Sequence, residues 1–317
     1  MSSRPSHTRS RPGLFAVVAM LTLWAVLAGC SSGSDGASSS TTTSAASEGG
    51  SEEGAEDGRV VAIGEEYLLA DLLALGVVPV ASTATVSDQG FQGVDEFDTE
   101  GIEPLPATEA NVERLAALRP DHIVVLEFFA NEVGLDKLEG IAEKVTVVPD
   151  SLSPEDQVEF LAEAFGREDA AADLIAEYEA AMARSKEALE GGEVSVAAIY
   201  AGPSLAAFVD GPWAVPATLL DSGVTLVPGP EGLEVDQNGR VYMSLERMDL
   251  LSAPKLLLLT SPLVEGEADS IAQVEANPLW ATLPAVKADA VIEMDRLGYP
   301  GITGRTRLAD DLVTELG

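Results

Sequence analysis

One pattern, helix then turn then buried strand, occurs once in each half of this 317-residue chain and restricts the fold more than any other feature. Residues Glu113 to His122 (Glu-Arg-Leu-Ala-Ala-Leu-Arg-Pro-Asp-His) lead into Ile123-Val124-Val125-Leu126. Residues Glu246 to Lys255 (Glu-Arg-Met-Asp-Leu-Leu-Ser-Ala-Pro-Lys) lead into Leu256-Leu257-Leu258-Leu259. Apolar residues three to four apart after each Glu mark one face of a helix, and four consecutive apolar residues behind a Pro-containing break mark a strand covered on both sides. Two lobes of similar build are expected. Because the match extends to the polar Glu-Arg pair, it also points to a surface used in the same way on both lobes.

The rest of the chain alternates strands and helices, which indicates parallel α/β packing. Residues 59–63 read as a strand, 65–75 as an amphipathic helix closed by Gly76, and 77–80 as a second strand. A helix near 135–142 precedes a strand at 145–148, and Ser153-Pro154-Glu155 opens another helix with Pro at its first position. Glu168 to Leu189 contains neither Gly nor Pro, so it predicts a rod of about 33 Å at 1.5 Å per residue, ended by Gly191-Gly192. A second α/β series starts at residues 194–200. The expected fold class is α/β: two α/β lobes, at 59–167 and 191–317, each with a mostly parallel sheet and bridged by one long α-helix at 168–190.

Arg4, Arg9 and Arg11 precede an apolar run from Leu14 to Leu27, which meets Leu27-Ala28-Gly29-Cys30. At about 14 residues the run is shorter than the roughly 20 that span hydrocarbon as a helix, and its basic flank is that of a secretory signal. Residues 1–29 are therefore expected to be a bacterial lipoprotein signal, with Cys30, the only cysteine, as the lipidated first residue of the mature chain. Such a protein is anchored to the outer face of a membrane without spanning it. Residues 31–58 are Ser, Thr, Gly, Ala and acid and hold too little apolar surface to fold. With Cys30 they form a tether with an r.m.s. reach of about 30 Å.

Removing the three signal arginines from 18 basic residues leaves 15 against 53 acidic ones, a net charge of −38, which argues against nucleic acid as a partner. Solubility and compositional bias account for so much acid without naming a ligand. His7 leaves with the signal, so the mature chain has a single histidine, His122, read as structural at the head of a buried strand. Direct zinc or manganese binding is not expected from one histidine and no free thiol. No cofactor is expected, and iron, if carried, arrives already chelated. Without a Gly-x-Ser-x-Gly elbow, a phosphate loop or His-Glu-x-x-His, enzymatic function has no motif to rest on.

Residues 59–80, Asn111-Val112-Glu113-Arg114 through Leu118-Arg119-Pro120-Asp121, Ser244-Leu245-Glu246, and Asn277-Pro278-Leu279-Trp280 through Leu283-Pro284-Ala285-Val286-Lys287 share an order and spacing. Together they resemble the substrate-binding lipoproteins of iron-siderophore and cobalamin ABC importers, over nearly all of Arg59 to Gly317. The resemblance implies two lobes bridged by a single long helix, a ligand cleft, little hinging, and one Glu on the tip of each lobe that pairs with arginines of the two permease subunits. Glu113 and Glu246 match those positions. Taken singly, each is also explained as an acid complementing the dipole in the first turn of a helix.

In open α/β sheets the ligand lies against the loops after the strands. Glu127, Phe128 and Phe129 follow the strand of the first repeat, where the resemblance places pocket residues. Arg240, in Asp236-Gln237-Asn238-Gly239-Arg240, falls in a segment that in relatives enters the cleft just ahead of the docking Glu. Its planar fork suits oxygen-rich anionic groups, which makes it the first polar contact expected. Trp213, Tyr299 and Arg305, from the Gly211-Pro212-Trp213 loop and the Gly298-Tyr299-Pro300-Gly301 turn, are further candidates. For all of these the alternative is a loop packed on its own lobe or an exposed turn. The resemblance implies capture of a ferric siderophore outside the cytoplasmic membrane and its delivery to an ABC permease dimer. Cobalamin or haem is the alternative ligand, and a sensory or adhesive lipoprotein the alternative without transport. Ligand charge stays open: Arg240 favours an anionic complex, whereas Glu127, if it faces the cleft, favours a neutral or cationic hydroxamate.

Overall fold

The structure is a computed structural model and describes residues 57–107, 111–261 and 263–317. The expected signal, Cys30 and nearly all of the expected tether lie outside the described residues. Among the described residues no helix is long and apolar enough to cross a membrane.

The N-terminal lobe is built from β1 (Val60–Ile63), α1 (Glu65–Ala74), β2 (Ala81–Ala84), β3 (Glu103–Pro106), α2 (Val112–Leu118), β4 (His122–Leu126), α3 (Glu127–Val133), α4 (Leu135–Glu139), β5 (Lys144–Val148) and α5 (Pro154–Phe165). Its sheet has the order β3-β2-β1-β4-β5 with every pair parallel. Successive side chains leave a strand on opposite faces. Val60, Ala62, Val124 and Val148 therefore join one core with α1 and α5, and Val61, Ile63, Ile123 and Val125 join a second with Leu115 and Leu118 of α2. Burial on both faces is the reason these strands are unbroken apolar runs.

After α6 (Glu168–Leu189) come β6 (Glu193–Tyr200), β7 (Ser204–Phe208), α7 (Ala214–Asp221), β8 (Thr225–Leu226), β9 (Arg240–Met243), a 3-10 helix (Leu245–Leu250), β10 (Lys255–Thr260), α8 (Glu267–Glu275), α9 (Pro284–Lys287), β11 (Val291–Asp295) and α10 (Gly301–Leu316). The second sheet has the order β11-β10-β6-β7-β9, with β8 also pairing β6. Here β10 lies parallel between β6 and β11, as β4 lies between β1 and β5. The repeated sequence pattern is thus the same corner of two sheets. The lobes part company on the other side of the central strand, where β6 turns back into antiparallel β7, itself antiparallel to β9. The second sheet is mixed, with three of its five pairings parallel.

Three local expectations are corrected and one strand is added. The second strand begins at Ala81, not Val77: Pro79 has no N–H to give a ladder, Val77 is buried in the core, and pairing opens where the Val80 N–H reaches Val60 O at 2.8 Å. A strand at Glu103–Pro106 was hidden by two prolines, which are tolerated because it is the sheet edge. The second copy of the repeated helix is a six-residue 3-10 helix, closed by i→i+3 bonds such as Leu251 N–H to Met248 O, 3.0 Å. Finally, the folded body begins no later than Asp57, whose carboxylate is held by Arg167 at 3.0 Å.

Two helices join the lobes. Ala171 and Tyr178 of α6 sit in the N-terminal core, and Leu189 at its far end sits in the C-terminal core. The closing helix α10 does the same in reverse, with Ile302 in the N-terminal core and Leu308 and Leu312 in the C-terminal one. An ion pair from Arg184 to Asp310, 2.8 Å, ties the two helices on a half-exposed surface, where it contributes little.

Candidate functional site

A cleft of ≈ 300 Å³ lies between the lobes. Its N-terminal wall is Tyr67 and Asp71 of α1, Leu126 at the end of β4, and the segment from Asp150 to Gln157 after β5. Its C-terminal wall is Pro212, Trp213 and Asn238, and the first turns of α10 complete it through Gly301, Ile302 and Arg305. Each N-terminal contribution follows the carboxyl end of a parallel strand, as open α/β sheets require.

The floor is organised by Asp71, which is 1 % exposed. One oxygen accepts from the Ile302 N–H at 2.7 Å and the other from Gln157 Nε2 at 2.6 Å, so a single carboxylate joins α1, α5 and the start of α10. Gly301 makes this possible: its φ is +63°, and a Cβ there would meet Asp71 Oδ1 at 2.6 Å. Burial pushes the Asp71 carboxyl up from 3.8 to about 6, against the lowering effect of its two hydrogen bonds and of Arg305.

The C-terminal wall rests on two loops packed backbone to backbone. The N–H of Val209 donates to Gly239 O at 2.9 Å, and Gly239, at φ +72°, lies so close to Asp210 that no side chain fits. Arg240 leaves this turn with its guanidinium among three rings, 5.3 Å from Tyr242, 5.8 Å from Trp213 and 6.0 Å from Tyr200. It is also committed to Asp236: Nε donates to Oδ2 at 3.0 Å and Nη2 lies 2.9 Å from the same oxygen. Burial alone would raise the Asp236 carboxyl, but the N–H groups of Arg240 and Asn238 and the guanidinium outweigh it and hold it low. Arg296 extends the wall, 5.1 Å from the Tyr200 ring, with both terminal nitrogens on fully buried Glu267 at 2.8 and 2.6 Å.

Of the residues expected from sequence, the structure brings Trp213 and Arg305 into the cleft, and Arg305 also donates to Pro212 O at 3.2 Å. Arg240 stands one ring behind it. Glu127, Phe128 and Phe129 do not line the cleft. Helix α3 starts at Glu127 directly after the strand and turns them away, so that Phe129 packs into the N-terminal core with exposed Phe128 edge-on to it at 5.3 Å. Tyr299 also lies elsewhere: its ring packs on the C-terminal core and its hydroxyl donates to Asp311 at 3.0 Å. His122 is 5 % exposed, hydrogen-bonded to Thr146 Oγ1 at 2.8 Å and stacked on Phe165, and burial, with Lys144 nearby, lowers its pKa to about 4.

Glu113 and Glu246 are both exposed and each is the second residue of its helix. Asn111 caps the first, accepting from the Glu113 N–H at 2.9 Å, and Arg114 beside it pairs with Glu103. Strands β3 and β9, which precede these helices, run parallel to the central strand of their sheet. Each Glu therefore stands at the carboxyl edge of its own lobe. Residues missed by sequence reasoning are Tyr67, Asp71, Asp150, Gln157 and Asn238. Only Asp71 carried a signal, an acid at a core position between Leu68 and Leu72 of an apolar helix face.

The family model described as periplasmic binding protein matches residues 60–296. A Bacillus subtilis protein named as an ABC transporter substrate-binding lipoprotein, YhfQ, is 22 % identical over 82 % of this chain and 84 % of its own length. The ferric enterobactin-binding periplasmic protein FepB of Escherichia coli is 28 % identical over 73 % of this chain and 78 % of its own. Among solved structures, Staphylococcus aureus SirA complexed with staphyloferrin B superposes with a TM-score of 0.68 at 20 % identity, over 82 % of this chain and 93 % of SirA. With two α/β lobes, a cleft between them and a family match over most of its length, the chain belongs to the periplasmic binding protein family.

Proposed function

We propose that this protein is a lipid-anchored, extracytoplasmic binding protein that captures a ferric siderophore in the cleft between its lobes and hands it to an ABC-type permease dimer. It works by binding, not catalysis. The observation that carries this reading is the cleft: apolar and aromatic walls with a few fixed polar groups, held by two bridging helices, have the character of a small-molecule site. The names of FepB and of the SirA complex support an iron chelate as the small molecule. In this reading Glu113 and Glu246 are the permease contacts, one per lobe, and Cys30 carries the lipid.

Tryptophan fluorescence tests the ligand class. Beyond Trp24 in the signal, the tryptophans are Trp213 on the cleft wall and Trp280, 7 % exposed in the core. Quenching of the first therefore reports cleft occupancy. Titration with ferric siderophores, haem and cobalamin should give saturable quenching by a ferric siderophore alone. Saturation by haem or cobalamin with no response to any ferric siderophore would contradict the proposal.

A further inference from the structure

The charges around the cleft are unequal, and they bear on which chelate it accepts once the siderophore reading is taken as its basis. Two carboxylates, Asp71 and Asp150, line the cleft against one guanidinium, Arg305. Asp150 is exposed, and among the described residues its carboxylate has neither a hydrogen-bond donor nor an ion-pair partner. The two arginines of the C-terminal wall add no net charge, because Arg240 is matched by Asp236 and Arg296 by buried Glu267. What they present to the cleft is the Trp213 ring, with Tyr200, Tyr242 and the neutralised cations behind it. Half-buried Glu65 and buried Glu66, just ahead of cleft-lining Tyr67, add negative charge to the N-terminal lobe, the Glu66 carboxylate being held by Thr85 and Gln92. The field of a chain of formal charge −35 has the same sign and is focused by a low-dielectric cleft.

Ferric iron held by three hydroxamates is a neutral core, whereas three catecholates leave a trianion. We infer that the cleft selects a ferric chelate that is neutral or positively charged, of the hydroxamate type, and that a protonated amine on the chelate is oriented toward Asp150. An anionic chelate meets the unpaired Asp150 carboxylate and the buried, hydrogen-bonded Asp71 carboxyl here, with Arg305 the one guanidinium of the lining to offset them. A cationic arm gains a charge-assisted hydrogen bond at a carboxylate that is otherwise unused.

A charge series on one skeleton separates this from the broader reading. The purified protein is titrated with ferrioxamine B, a trihydroxamate with one protonated amine, with its neutral N-acetyl and anionic N-succinyl forms, and with ferric enterobactin, the trianion. Affinity should fall in that order, by about tenfold or more between the amine and the succinyl form, and the gap should narrow in high salt. Asp150→Asn should bring the amine and acetyl forms closer together. Equal or tighter binding of the succinyl form or of ferric enterobactin would overturn the charge class while leaving siderophore capture standing, and an amine-to-acetyl gap unmoved in the Asn variant would overturn the contact with Asp150. Failure of all four to bind, with the fold intact by circular dichroism, would overturn the siderophore reading itself.

Discussion

Arg240 does two jobs, and its removal should expose both. Its fork satisfies Asp236, and its plane fills the space between Trp213, Tyr200 and Tyr242. Arg240→Ala should weaken chelate binding by about 1–2 kcal/mol through loss of the ordered aromatic wall, and lower stability by about 1 kcal/mol or less, since the pair with Asp236 is partly solvated. Arg240→Lys restores charge but not the planar fork and should recover little of the binding. Titration beside urea denaturation checks this, and unchanged affinity in both variants would remove Arg240 from the site. The turn that holds Arg240 was legible in sequence because Asp236-Gln237-Asn238-Gly239-Arg240 has turn chemistry and a lone cation. The commitment of that cation to Asp236 was not, because a sequence lists charges without pairing them. Asp71, Asp150 and Gln157 escaped for a related reason: they reach the cleft only when α1, α5 and α10 converge.

At the level of elements, α6 was readable to the residue, since a stretch without Gly or Pro between a clear start and a Gly-Gly stop leaves little choice. The role of α10 as a second bridge was not, because nothing local marks a helix that begins in one core and ends in another. Asp71 is the joint at its start. Asp71→Ala would leave the buried Ile302 N–H without an acceptor and should cost about 2–3 kcal/mol. Asp71→Asn keeps an acceptor and should cost less while changing the response to pH. Because burial raises the Asp71 pKa from 3.8 to about 6, its contribution is fully present below 3.8 and is lost as pH rises through 6. Urea midpoints across this range should show the Asn variant losing that component of the slope. Identical slopes in the variant and the parent would mean that the Asp71 carboxyl does not titrate between these limits. The displaced second strand, the proline-bearing edge strand and the 3-10 helix have one cause in common: each is decided by hydrogen bonds to a neighbour that local propensity does not contain.

For the whole molecule, the account turns on capture in a cleft followed by delivery through two equivalent carboxylates. Glu113 and Glu246 are exposed, outside the cleft lining and at matching edges of the two lobes. An isologous pair of this kind suits a two-fold partner, and exposed charges act mainly on docking rate and register. The most direct measurement is uptake of a radiolabelled ferric siderophore by cells carrying Glu113→Lys, Glu246→Lys or both, with chelate affinity measured on the same purified proteins. Each single change should impair uptake, the double change should nearly abolish it, and affinity should stay at the parent value. Normal uptake by the double variant would contradict delivery through these two carboxylates, and a parallel loss of affinity would assign them to the cleft or to lobe stability instead.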